Sequence, residues 1–336
     1  MQLISKKYLS NVKGIQEARK AGRTDCLYPY KEKKNFNTLY DYKVFIIDYN
    51  KGIIKLAKPR LLRENGGKQI IQKPVIIHAK TIPDNIVIME IKYDNGLKLC
   101  MIYYEDLESQ PKLFKNNSDN TCAIDMGEIH SITTIDNQGN PLIITAREIR
   151  SIQRFRNKEY GKLRRMLSKC KKGSRRYNKL RKTIRKLCSK SNTKMNYLLH
   201  KTSKLFIKYV QENDINKVII GDITNYNMNL KNTKKKKGQK QRLVQWPHGK
   251  LRYQLQYKLK RINAELIEIS EAYTSQTCPV CGSKYKPTGR NYICKKCGYT
   301  NHRDIVGAIN ILSKYINNNN IKDIKLPHKE LKYLRI

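Results

Sequence analysis

Short apolar runs separated by turn residues dominate the first third of the chain. The runs VFIID, IIKLA and VIIHA fall between residues 44 and 79. A hairpin follows, in which apolar residues at 86–93 and 97–104 flank Asp94-Asn95-Gly96, a sequence suited to the positive φ angles of a tight turn. The pattern predicts a small β domain ahead of the rest of the chain.

The next stretch alternates between strands and helices. The segment CAIDMGEIHSITTIDNQGNPLIITA predicts three consecutive strands, and Asp125 ends the first, with the small Gly127 leaving room near its carboxylate. From Arg147 to about Lys190 the chain is helical, and Lys171-Lys172-Gly173-Ser174 breaks it into two antiparallel arms.

The alternation continues with a helical stretch through Tyr197 to Tyr209 and the short strand KVIIGD, which ends at Gly221-Asp222. A Lys-rich loop over 225–242, an amphipathic helix over Trp246–Ile262 and a strand over Glu265–Ser270 follow. Together with a last helix, this order is expected of an RNase H-like domain, an α/β fold with a mixed sheet flanked by helices.

Four cysteines interrupt the alternation before that last helix. Cys278, Cys281, Cys294 and Cys297 form two Cys-x-x-Cys pairs, each on a tight knuckle, and this spacing predicts one tetrahedral zinc ion. Two disulfides are the alternative. They are disfavoured because the number of cysteines, nine, is odd and because the sequence has no secretory signal. Four thiolates fill the coordination shell, so the zinc is expected to be structural.

The last helix starts at Asp304, and His302 stands just before it. Since four thiolates already satisfy zinc, we expect His302 to form a hydrogen bond or to face phosphate rather than to bind that ion. The other cysteines are predicted to be ordinary reduced side chains: Cys26, Cys100, Cys122, Cys170 and Cys188.

The net charge of the chain indicates what class of partner it binds. The sequence holds 70 Lys plus Arg against 27 Asp plus Glu, a net charge of +43. This excess predicts a polyanion, and nucleic acid rather than a membrane, because no apolar run approaches the length of a bilayer span. A Lys-rich coding bias is the alternative reading, but the charge is concentrated in particular segments.

One such segment runs from Arg150 to Lys190, with eighteen Lys or Arg and a single acid, Glu159. Like charges at this density repel one another along a helix, so an anionic partner is favoured over a merely solvated face. The candidate nucleic-acid contacts are Arg154, Arg164, Arg165, Lys171, Lys172, Arg175, Arg176, Lys235, Lys236 and Arg303.

Two carboxylates at the ends of elements are candidate catalytic groups. Cleavage of a phosphodiester by two Mg²⁺ ions needs several anionic oxygens that converge from different elements. Asp125, at a strand end, and Asp304, at a helix start, fit two of these positions.

Several motifs carry a family resemblance. TSQTCPVCG, the second Cys pair after GRNYIC, and HRDIVGAINI resemble the C-terminal half of TnpB (OrfB) proteins, transposon-encoded relatives of compact CRISPR effectors and of Fanzor proteins. With AIDMG and the Trp246 helix, the resemblance covers about residues 120 to 315. It implies a RuvC-type nuclease domain with an inserted zinc ribbon, preceded by a wedge-like β-barrel.

The implied activity is RNA-guided DNA cleavage, with guide RNA and target DNA as partners, structural Zn²⁺ and catalytic Mg²⁺. Proteins of this kind are also described as transposases. Asp125 matches the first catalytic carboxylate of the family and Asp304 the last. A transposase that joins strands itself is a weaker alternative, which the same carboxylates do not exclude.

The middle carboxylate departs from the family pattern. Members usually carry Glu at the position of Gly221, and strand alternation turns the adjacent Asp222 to the opposite face. Glu271 continues the face of Ile267 and Ile269, and a Fanzor-like subset of the family resembles this chain in having its glutamate moved to that place. We therefore expect Glu271 to complete the site; the rival reading is a catalytically inactive nucleic-acid-binding protein or repressor.

The resemblance also bears on the start of the chain. Only some 27 residues precede the segment that matches the family from Tyr28 onward, so we expect a truncated or degenerate recognition region. Because the N-terminus has no apolar core of signal-peptide length, we expect an intracellular protein, located in cytoplasm, nucleoid or nucleus according to the host. The predicted divisions are a basic lead-in (1–40), a wedge-like β domain (41–118), a RuvC-like nuclease domain (119–274 and 301–316), a zinc ribbon (275–300) and a polar tail (317–336).

Overall fold

A computed structural model gives the fold of the chain. It divides the chain into two compact units, residues 1–107 and 108–336, which are taken separately. The structure describes residues 2–23, 38–56, 75–93, 96–104, 120–222, 237–270, 274–285, 287, 289–318, 325–327 and 330–336.

In its described residues, the first unit contains a helix and six strands. Its elements are α1 (Gln2–Lys20), β1 (Thr38–Asp41), a 3-10 turn (Tyr42–Val44), β2 (Phe45–Asp48), β3 (Ile53–Leu56), β4 (Val75–His78), β5 (Ile86–Tyr93) and β6 (Leu97–Tyr103).

These strands form two antiparallel sheets of three, ordered β1-β5-β6 and β2-β3-β4. Ile54, Leu56, Ile86 and Met89 are buried in one cluster drawn from both sheets. The five strands predicted from apolar runs are confirmed. β1 was missed, because it lies in the stretch that was assigned to the lead-in.

The second unit is an α/β fold built on a mixed sheet. Its elements are β7 (Thr121–Asp125), β8 (His130–Asp136), β9 (Pro141–Thr145), α2 (Arg147–Ser168), α3 (Arg175–Glu212), β10 (Lys217–Asp222), α4 (Lys237–Gln245), α5 (His248–Arg261), β11 (Glu265–Ser270), β12 (Asn291–Ile293), β13 (Thr300–His302), α6 (Arg303–Asn318) and β14 (Lys332–Arg335).

Six of these strands make one sheet, ordered β11-β10-β7-β8-β9-β14. β7, β10 and β11 run parallel, β8 is antiparallel to both neighbours, and β14 runs parallel to β9. The carboxyl ends of the three parallel strands therefore meet at one edge, which is where Asp125 stands.

Alternation along the strands divides the core into two layers. Ile124, Val218 and Ile220 pack on one face of the sheet with residues of α3 and α5, whereas Ala123 and Ile219 pack on the other face with α6. The apolar stripe predicted for the last helix is confirmed, because it supplies most of this second layer: Ile305, Ala308, Ile309, Leu312 and Ile316.

Three sequence predictions need correction. The second basic arm and the stretch through Tyr197 to Tyr209 are one 38-residue helix, α3, since no Gly or Pro between them ends it. Part of the predicted loop over 225–242 is helical, in α4, while residues 223–236 lie outside the description. The predicted polar tail contains β14, whose neighbouring apolar residues Leu334 and Ile336 pack against the core.

Among the residues that the structure describes, no helix is both long and apolar enough to cross a membrane.

Candidate metal centres and nucleic-acid interface

The four predicted cysteines converge on one point. Sγ of Cys278 lies 3.6 Å from Sγ of Cys297, and Sγ of Cys281 lies 3.5 Å from Sγ of Cys294. A tetrahedral zinc ion with Zn–S bonds of about 2.3 Å places its sulfurs about 3.8 Å apart. The cluster therefore fits a zinc ion, with two sulfurs from each of the two cysteine knuckles.

Main-chain turns hold the sulfurs in place. Gly282 and Gly298 have φ angles of +69° and +74°, and each donates its N–H to the carbonyl of the first cysteine of its pair, Cys278 or Cys294, at 3.0 Å. The hydroxyl of Ser283 lies 3.2 Å from Sγ of Cys294, and this hydrogen bond lowers the pKa of Cys294 to about 5. A thiol with a low pKa is already a thiolate at neutral pH, the form that binds metal.

The ribbon is anchored on α6. Val306 is fully buried in a cluster with Tyr292 and two of the cysteines. Asn310, also buried, donates its side-chain amide to the carbonyls of Thr274 (2.6 Å) and Thr277 (2.7 Å). The helix that starts at Asp304 is thus also the base of the ribbon.

The same helix closes on the first carboxylate. A Cβ atom added at Gly307 would lie 2.6 Å from Oδ2 of Asp125, closer than side-chain atoms pack. Gly307 follows Asp304 by three residues, one turn along the same helix face. The structure therefore brings Asp125 and Asp304, from a strand end and a helix start, to the same corner of the sheet.

Two arginines neutralise Asp304. Nη1 of Arg290, which belongs to the ribbon, lies 3.4 Å from Oδ2, and Nε of Arg303 lies 3.6 Å from Oδ1. Arg303 was predicted to contact nucleic acid, and in the protein alone it contacts this carboxylate. Both N–O distances are long for ion pairs, so a metal ion that binds Asp304 would displace only weak contacts with the two arginines.

The third predicted ligand, Glu271, lies outside the described residues, as do Lys235 and Lys236. The strand before it, β11, directs Ile267 and Ile269 toward the layer that contains α6. Gly221 pairs with Ile269 and Asp222 with Ser270. Since Ile219 faces α6, alternation places Gly221 on that face and exposed Asp222 on the other, as the sequence predicts.

A pair of histidines adjoins Asp304. His130, at the start of β8, and His302, at the end of β13, have ring centroids 5.3 Å apart and lie edge to face. Burial lowers the pKa of His130 to about 4, against the opposite effect of the Asp304 carboxylate, and burial also lowers the pKa of His302. Burial therefore favours the uncharged form of both imidazoles.

Sequence reasoning missed His130 and Arg290. His130 is far from Asp304 in sequence, whereas Arg290 lies 14 residues before it and is brought back by the β12–β13 hairpin. Neither residue carries a metal-ligand spacing that the sequence could reveal. The structure also corrects the role of Gly127, where a Cβ would lie 2.8 Å from the carbonyl oxygen of His130, so a tight turn rather than room beside Asp125 requires glycine.

The basic residues between Arg150 and Lys190 lie on most of α2, on the turn after it and on the first half of α3, which form an antiparallel pair of helices. All eighteen are exposed except Arg150 and Arg156, which are half-buried. Arg150 pairs with Glu128 and Lys162 with Glu159. One acid in the stretch cannot neutralise the rest, so this helical hairpin presents a dense positive surface of the kind that binds phosphates.

Comparison with known proteins supports the assignment of the α/β fold and the cysteine ribbon. A family model described as "Probable transposase" matches residues 104–227, and one described as "Cas12f1-like, TNB domain" matches residues 248–311. The fold resembles that of Cas12f1 in its complex with guide RNA and target DNA, with a TM-score of 0.57 at 15% sequence identity, over 90% of this chain and 70% of that one.

Two curated relatives add to this. A TnpB-like protein of Methanocaldococcus jannaschii is 28% identical over 200 residues, 59% of this chain and 70% of that protein. InsQ of Escherichia coli strain K12, named for a proposed RNA-guided DNA endonuclease activity, is 28% identical over 168 residues, which are 46% of this chain and 41% of InsQ.

The fold and its site define an α/β protein with a cysteine ribbon inserted beside a pair of carboxylates, on a scaffold shared with Cas12f1. The resemblance to TnpB (OrfB) proteins that the sequence motifs carry is confirmed by these matches.

Cys281→Ser tests the ribbon. Removing one of four ligands is expected to weaken zinc binding by more than about 100-fold and to lower the melting temperature, because ligation and folding of the ribbon are coupled. Zinc content by elemental analysis and thermal unfolding measure both. Cys188→Ser, on α3, is the control; equal zinc content in the two variants would contradict the assignment.

Gly307→Val tests the carboxylate corner. The added side chain must displace the Asp125 carboxylate, and Mg²⁺ affinity measured by calorimetry is expected to fall by about 10- to 100-fold. Gly161→Val on α2, where nothing lies within 4 Å, controls for the cost of valine in a helix. Unchanged Mg²⁺ binding by a folded Gly307→Val protein would show that Asp125 is not a ligand where it now lies.

Proposed function

We propose that this chain is an RNA-guided DNA endonuclease that hydrolyses phosphodiesters with two Mg²⁺ ions. The observation that carries the proposal is the close approach of Asp125 to α6 at Gly307, one turn from Asp304, which puts two carboxylates of different elements at one sheet edge. Hard oxygen ligands of this kind suit Mg²⁺.

Asp125, Asp304 and Glu271 are the residues that would hold the metal. When bound, the two ions supply an activated water and stabilise the leaving oxygen. Glu271 follows β11 and continues the sequence alternation of Ile267 and Ile269, so we expect its carboxylate to replace the one that Gly221 lacks. Release of Asp304 from Arg290 and Arg303 frees both of its oxygens.

In this proposal, the basic helical hairpin formed by α2 and α3 is the main nucleic-acid-binding surface. Its exposed Lys and Arg side chains would hold an RNA–DNA duplex by its phosphates while base pairing supplies sequence choice. The second domain would then be an RNase H-like (RuvC) nuclease with an inserted zinc ribbon, and the first unit a wedge-like β-barrel. Its setting would be a transposable element in an intracellular compartment.

A specific observation favours a second function. Gly221 has no side chain at the place where the family usually has glutamate, and two arginines already neutralise Asp304. A chain that had lost its middle ligand would still bind RNA and DNA through the hairpin, and would act as a repressor rather than a nuclease.

Glu271→Gln separates the two functions. In protein purified with co-expressed RNA, we expect Mg²⁺-dependent cutting of guide-matched DNA, and we expect Glu271→Gln to reduce its rate by about 100-fold or more, as loss of a metal ligand should. Cleavage is measured on labelled DNA, and binding is measured separately by mobility shift.

Two matched variants control this experiment. Glu268 lies on the opposite face of β11, where it pairs with Arg252, so Glu268→Gln changes a carboxylate outside the site. Asp222→Asn replaces the rival carboxylate. Both variants should cut DNA at the wild-type rate. A defect in Asp222→Asn with normal Glu271→Gln would reverse the assignment. Wild-type protein that binds the duplex but never cuts it would establish the repressor.

The hairpin is tested through salt. Replacing Arg164, Arg165 and Lys171 by glutamine should weaken duplex binding and reduce the slope of log affinity against log salt by about 0.9 per lost phosphate contact. The control replaces Lys201, Lys204 and Lys208, which are exposed on the other half of α3. Equal slopes in the two triple variants would rule out the hairpin as the principal contact surface.

A further inference from the structure

We propose that His130, His302 and Asp304 form a binding site for a divalent transition-metal ion, separate in ligand type from the carboxylate pair. Each of the three offers one ligand atom, and these atoms all lie within 4.8 Å of one another. The residues come from β8, from the end of the ribbon hairpin and from the first turn of α6, so the fold rather than local sequence assembles them.

The buried histidine supplies an independent indication of a ligand. His130 is 6% exposed, and its Nδ1 atom has no hydrogen-bond partner among the residues that the structure describes. A buried polar atom without a partner costs about 1–3 kcal/mol, and such atoms call for a bound ion or water. The cost would be recovered if the imidazole turned this nitrogen to a metal ion.

Neighbouring groups hold the two rings. The ring of Tyr333 lies edge to face with both, at 6.2 Å from His130 and 6.4 Å from His302. The main-chain N–H of Asp304 donates to Nδ1 of His302 at 3.3 Å. Ligand atoms around an ion with bonds of about 2.1 Å lie about 3.0–3.4 Å apart, so the cluster must contract on binding, and half-buried His302 and Asp304 are the residues able to move.

The charges around the cluster also bear on this site. Arg290 and Arg303 contact Asp304, and Arg147 lies near enough to affect His130. An incoming cation has to overcome these charges by displacing the two long pairs with Asp304. Imidazole ligands favour Zn²⁺, Ni²⁺ or Co²⁺ over Mg²⁺, which prefers oxygen, so the two histidines make this a site for the former ions.

Asp304 belongs to both sets of ligands. An ion held by the histidines would take Asp304 away from Asp125, and transition metals would therefore compete with Mg²⁺. This consequence rests on the proposed function, whereas metal binding by the histidines does not require that the chain cut DNA.

The test is a calorimetric titration of the full chain with Ni²⁺, after the ribbon has been loaded with one zinc ion. Wild-type protein should bind one Ni²⁺ ion, and His130→Ala and His302→Ala should each weaken that binding at least tenfold. A parallel Co²⁺ titration should show no thiolate charge-transfer band, which confirms that the added ion has not entered the ribbon.

Matched variants make the outcome decisive. His78→Ala, an exposed histidine of the first unit, should leave Ni²⁺ binding unchanged. His302→Ala should leave Mg²⁺ binding within twofold, whereas Asp304→Asn should weaken both ions. If the buried His130→Ala variant fails to fold by circular dichroism, His302→Ala alone decides.

Wild-type Ni²⁺ affinity in a folded His302→Ala protein would overturn the proposal. So would an equal loss in His78→Ala, which would indicate scattered surface binding. Absence of DNA cleavage together with histidine-dependent Ni²⁺ binding would refute the nuclease and leave this site standing.

Discussion

The contact between Gly307 and Asp125 is the constraint on which the site depends. Because position 307 has no side chain, α6 packs directly against the carboxyl end of β7, and a carboxylate occupies the space that a Cβ would fill. The apolar stripe of α6 fixes the distance of the helix from the sheet, and its first turn then brings Asp304 to the same corner. Packing of one helix thus sets the spacing between charges from different elements.

Much of this could be predicted from sequence because it depends on short-range pattern. The cysteine knuckles, the strand that ends at Asp125, the alternation that separates Gly221 from Asp222 and the stripe of α6 all follow from periods of two or three to four residues. The roles predicted for the carboxylates rest on the family resemblance. The ribbon was the easiest part of the chain to predict, because cysteine pairs and the tight turns that carry them are both visible in the sequence.

What sequence could not supply was the meeting of distant residues. His130, on β8, reaches Asp304 only through tertiary packing. Arg290 reaches it because the β12–β13 hairpin folds the chain back, where the N–H of Arg303 donates to the carbonyl of Arg290 at 2.7 Å. β14 was not predicted because its four residues of mixed polarity carry too little periodicity to be told from an irregular tail. Asp136 shows the opposite limit: it is a buried carboxylate at a strand end, yet its oxygens accept hydrogen bonds from residues 138 and 140 and stabilise the turn that follows. A carboxylate at a strand end therefore identifies a site only when the fold brings a second one to it.

The double use of α6 has a thermodynamic consequence. Val306 and Asn310 are part of the base of the ribbon, while Asp304 and Gly307, on the same two turns, form the carboxylate corner. If zinc orders the ribbon and the ribbon orders these turns, the affinities for the two metals are linked, and each ion raises affinity for the other by the same factor. Availability of zinc in the cell would then set how readily the corner accepts its own cation.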